Sequence, residues 1–138
     1  MKGKMKYLIC LVIAILLTGC VGNKKSDIFL EYNRTGGLIG LEDHLTIGKN
    51  GYAVLKRKNS QTVFTLDSET LKHLEILLNG ATFTKLKNNY LPMHQGGDLI
   101  EYTISYNDHT VHMIDTSIPE IMQPIVESLY QIVENISK

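Results

Sequence analysis

One thiol and a set of imidazoles are the groups in this chain that could do chemistry. Of its two cysteines, Cys20 ends the stretch Leu17-Thr18-Gly19-Cys20 at the foot of an apolar run, and Cys10 lies inside that run. A cysteine placed there after two small residues reads as a lipobox, at which a bacterial prolipoprotein is lipidated and then cut just before the modified residue. Lys2, Lys4 and Lys6 supply a positive n-region, and residues 7–17 an apolar h-region of the length expected for a signal peptide. That run falls short of the roughly 20 apolar residues that cross a bilayer. An ordinary cleavable signal, with Cys20 after it by coincidence, is the alternative.

The five histidines invite a metal or catalytic reading. His109 and His112 lie three apart in an expected strand, where they point to opposite faces and cannot easily share one zinc. The metalloprotease motif His-Glu-x-x-His is absent. His44 after Glu42-Asp43, and His94 four residues before Asp98, could be ligands only if the fold brought their loops together; isolated surface histidines are the simpler reading. There is no Gly-x-Ser-x-Gly elbow and no phosphate- or dinucleotide-binding glycine loop, and the carboxylates show no catalytic pairing. The chain therefore reads as a non-enzyme with no metal and no cofactor.

Composition agrees. Removing residues 1–19 from 138 leaves 119, enough for one domain with a core. The 14 basic and 14 acidic residues become 11 and 14, because three lysines leave with the signal. A formal charge of −3 argues against a nucleic-acid partner. With Cys10 removed and Cys20 acylated, the domain holds no thiol, so disulfides, thiol catalysis and zinc–thiolate sites are excluded. Lipid on Cys20 places the protein at the cell membrane or outer membrane, facing outside the cytoplasm.

The elements that would position any site follow from periodicity. Residues 20–27 are a polar tether, and residues 28–138 a single domain. Strands are expected at 28–34, 43–48, 52–58 and 61–66, with Lys49-Asn50-Gly51 as a type I′ turn. Asp67 caps a helix over 68–79 whose stripe is Leu71, Leu74, Leu77 and Leu78. Residues 81–97 carry little regular signal, and Tyr90 to Gly97 reads as a loop. A hairpin follows at 98–106 and 109–115. Ser117 to Glu120 reads as the capping box of a last helix, which Pro124 kinks or splits. The order ββββαββα with short connections predicts an α+β fold: an antiparallel sheet with two helices on one face.

Two loops remain as candidate partner sites. One is Gly36, Gly37, Leu38, Ile39 and Gly40, whose apolar pair either faces a partner or folds inward while the glycines serve a chain reversal. The other holds Tyr90, Leu91, Met93 and His94, and either binds or merely connects.

Arg34-Thr35-Gly36-Gly37-Leu38-Ile39-Gly40, the following strand and glycine turn, Leu71–Leu78, Phe83, the Tyr90–Gly97 loop, the 98–106 strand, Asp115-Thr116-Ser117-Ile118-Pro119 and the apolar last helix together resemble the emfourin family. These are small inhibitors of thermolysin-like metalloproteases, named for the partner of protealysin. The similarity runs from about Ile28 to Ile136. It implies a protein that plugs a protease cleft without a cofactor, using a bulky apolar residue such as Leu38, Ile39, Leu91 or Met93, with His94 or Asp98 near the zinc. The lipobox departs from the soluble members of the family. A non-inhibitory structural or accessory envelope lipoprotein is the alternative, and a small-molecule-binding lipoprotein a third reading.

Overall fold

The computed structural model describes residues 27–93 and 96–136. The lipobox, Cys20 and His94 lie outside these residues. The chain is α+β. In order it forms β1 (Ile28–Gly36), β2 (Leu41–Gly48), β3 (Tyr52–Arg57), β4 (Ser60–Thr65), α1 (Ser68–Gly80), β5 (Asn89–Tyr90), β6 (Ile100–Tyr106), β7 (His109–Ile114) and α2 (Gln123–Ile136). The strands make one sheet in the order β4-β3-β2-β1-β6-β7-β5.

Strict alternation selects the covered face. Leu30, Tyr32, Leu45, Ile47, Ala53, Leu55, Ile104, Tyr106, Val111 and Met113 fall on one phase and pack with Leu74 and Leu78 of α1 and Ile125, Val126, Leu129 and Val133 of α2. The opposite phase carries Glu31, Asn33, His44, Thr46, Thr103 and Ser105, and no helix among the described residues packs on it. On that face Asn33, His44, Lys56, Thr103 and His112 are cross-strand neighbours in one rung.

The expectation of an all-antiparallel ββββαββα sheet needs two corrections. A further strand, β5, arises inside the segment read as a loop, and it pairs parallel with β7. Two residues carry no readable alternation. They are held by His112 N–H donating to Asn88 O (2.7 Å) and by Ser117 Oγ–H donating to Tyr90 O (2.6 Å). The second bond also removes the capping box, since Ser117 is spent on β5 and the helix starts only at Gln123, after short 3₁₀ turns at Asp115–Ser117 and Glu120–Met122. Pro124 then falls in the first turn, where its missing N–H is harmless. Asp67 caps α1 as expected, its carboxylate accepting from Thr70 N–H at 2.8 Å.

Turn chemistry also differs from the expectation. At residues 48–51 only Gly51 is left-handed (φ 83°), and its N–H closes a turn onto Gly48 O, so the expected I′ geometry is absent. The I′ pattern belongs to Asn107 (φ 49°) and Asp108 (φ 61°), which join β6 to β7 directly.

Candidate functional site

β1 and β2 are joined by residues 37–40, a turn closed by Gly40 N–H donating to Gly37 O at 3.0 Å. Gly36, Gly37 and Gly40 all have positive φ (96°, 70° and 61°), which bulkier residues rarely adopt. Leu38 and Ile39 are the two central residues of this turn and stand 85% and 76% exposed. Their side chains thus point outward, and the inward alternative fails.

The turn is braced by the residue that precedes β6. Gly37 N–H donates to Leu99 O at 3.0 Å, and a Cβ on Gly36 would lie 2.5 Å from that same oxygen. Because β5 runs parallel to β7, Tyr90 ends at the edge of the sheet where β7 ends, β6 begins and β1 turns into β2. Leu91 and Met93 follow it, 56% and 99% exposed. The structure therefore places Gly36, Gly37, Leu38, Ile39, Gly40, Leu91 and Met93 at one end of the sheet. Tyr90 belongs to β5 instead and is half-buried; its carbonyl is taken by Ser117 and its hydroxyl accepts from Lys87 N–H.

Directly beneath this end sits a charged cluster that the sequence reading missed. Arg34 Nε and Nη2 donate to Asp43 Oδ2 at 2.9 and 2.6 Å, and Arg57 Nε donates to Asp43 Oδ1 at 2.5 Å. Glu134 of α2 accepts from Arg34 Nη2 at 2.9 Å and lies 3.6 Å from Arg57 Nη2. The Arg34 guanidinium also lies 5.1 Å from the Tyr130 ring centre. Arg34 and Asp43 are buried and paired in register, two residues from the ends of their strands. Burial alone would raise the Asp43 pKa, but hydrogen bonds and charge from Arg57 and Arg34 hold it below the ordinary carboxylate value. Phase was the available signal. Arg34 continues Leu30-x-Tyr32-x, Asp43 begins x-Leu45-x-Ile47, and Arg57 follows Ala53-x-Leu55-x, so all three were due to face the core. Beside them Tyr32 is fully buried, its hydroxyl has no protein partner among the described residues, and burial pushes its pKa upward.

The three histidines of the described strands do not converge. His109 stacks edge-on against Phe83 and shares a hydrogen bond with Leu86 O (2.9 Å). His112 pairs with Thr103 Oγ1 (3.0 Å) on the other face. His44 is hydrogen-bonded to Asn33 and Thr46 on that face. Among the described residues no three His, Cys, Asp or Glu side chains are grouped to hold a metal ion. Nor is any described helix long and apolar enough to cross a membrane. What the arrangement offers is a rigid apolar tip on a charged base, suited to burial against another surface. Comparison of the sequence with protein-family models and with curated proteins gives no match.

Proposed function

We propose that this chain is an extracytoplasmic lipoprotein, anchored through Cys20, that binds a protein partner with the Leu38–Ile39 turn and inhibits it, the partner being a thermolysin-like metalloprotease. The observation that carries the reading is the exposure of two large apolar side chains at the centre of a turn held by three left-handed glycines. Exposed there, Leu38 and Ile39 contribute little to the fold, whereas burying each against a partner is worth about 1.5–3 kcal/mol. Leu91 and Met93 extend the same end. A cleft that takes a bulky apolar residue beside the scissile bond suits such a tip. The closed turn also keeps the Leu38–Ile39 peptide out of the extended form in which a substrate would be threaded.

The direction of β1 supports the reading. Asp27 precedes β1, and its carbonyl accepts from Lys49 N–H at the opposite end of the sheet. The tip and Asp27 are thus separated by the nine residues of β1, about 25–30 Å.

The test uses the chain from residue 20 with Cys20→Ser, titrated into a thermolysin-like protease while cleavage of a small peptide is followed. Stoichiometric loss of activity is expected, weakened at least tenfold by Leu38→Ala together with Ile39→Ala. In cells the wild-type protein should fractionate with membranes and the Cys20→Ser protein should not. Full protease activity at high molar excess of folded protein would overturn inhibition and favour an accessory envelope role.

A further inference from the structure

The two edges of the sheet are unequal. β5 is two residues long, whereas β4 presents six residues, Ser-Gln-Thr-Val-Phe-Thr, exposed at every position except the half-buried Phe64. Among the described residues nothing pairs with its outer side. Sheet edges are ordinarily blunted by lysine, proline or a bulge, and β4 contains no charge and no proline. β3 and β4 are joined by the two-residue turn Lys58-Asn59, which makes Arg57 and Ser60 a hydrogen-bonded pair. Alternation then turns the N–H and C=O groups of Gln61, Val63 and Thr65 outward.

We propose that this edge pairs antiparallel with the same edge of a second copy, continuing the sheet across a two-fold axis. The axis stands perpendicular to the sheet and preserves its faces, so each residue must meet one of its own phase. Val63, 49% exposed and on the face without helices, then lies against Val63 of the other copy. Gln61 meets Thr65 and Thr62 meets Phe64. The occupant is a second copy because the edge complements itself in charge. Exposed Lys58 precedes β4, and exposed Asp67 and Glu69 follow it. In this register Asn59 faces Asp67, so the basic start of one strand lies beside the acidic end of the other. A six-residue edge covers less than the roughly 1,200 Å² of a standard stable interface, so the association is weak and reversible.

The register gives a sharp test. In the chain from residue 20 with Cys20→Ser, an introduced cysteine is the only one. Under mild oxidation Val63→Cys should give covalent dimer, since paired Cα atoms about 5.5 Å apart admit a disulfide. Thr65→Cys is also exposed but faces Gln61, and should give several-fold less. Sedimentation equilibrium should show mass rising with concentration, and Val63→Lys should abolish the rise while circular dichroism stays unchanged. Equal cross-linking of the two cysteine variants would overturn the pairing. So would a monomeric mass at the highest concentration reached, which would leave the edge to an extended segment of another protein or to solvent.

Discussion

Leu38 and Ile39 stand out in water because the glycines around them accept a backbone that other residues resist, and the glycines are not equivalent. A Cβ on Gly36 would meet Leu99 O at 2.5 Å, whereas one on Gly40 meets nothing within 4 Å. Both positions carry the left-handed cost of about 1–2 kcal/mol for an L side chain. Urea denaturation should therefore show Gly40→Ala losing about that much and Gly36→Ala clearly more, because Leu99 must also move. Tyr32 makes an opposite case. Its hydroxyl is buried without a partner among the described residues, and an unsatisfied buried polar atom costs roughly 1–3 kcal/mol. Tyr32→Phe should raise stability by about 1 kcal/mol, and a loss of stability would show that the hydroxyl is satisfied. The tip residues were legible in the sequence as a glycine-flanked apolar pair, but their outward direction was not, since it depends on Leu99 arriving from a distant segment.

The charged cluster acts on elements, joining β1, β2, β3 and α2 through Arg34, Asp43, Arg57 and Glu134. Asp43→Asn leaves two guanidiniums without their shared carboxylate, and loss of one partner from a buried pair costs about 3–5 kcal/mol. Because the folded-state pKa of Asp43 lies below its unfolded value, near 3.9, its stabilisation is fully present above that pH. It is lost as pH falls below it towards the lower folded value. Thermal midpoints of the wild type should thus drop between pH 5 and pH 2 by more than those of Asp43→Asn; parallel curves would reject the assignment. The long strands and both helices were readable because each carries an alternation or a 3.6-residue stripe over six or more residues. β5 and the start of α2 were not. A two-residue strand has no period, and Ser117 looks like a cap until Tyr90 O is seen to take its hydroxyl.

At the scale of the molecule, the layering of sheet and helices followed from amphipathic elements in sequence order, while the mixed character of the sheet came from one tertiary pairing that no local pattern encodes. The central position of β1 adds a mechanical meaning to the arrangement. β1 starts after Asp27, ends at the glycine turn, and is hydrogen-bonded to β2 along one side and β6 along the other. If Cys20 is held in a membrane and a partner pulls on Leu38 and Ile39, the tension runs along this one strand. Its ladders cross the line of force, so the flanking bonds are loaded in shear and must yield together, not one after another as in peeling an edge strand. The strand that displays the tip is also the one best able to carry a pull from it.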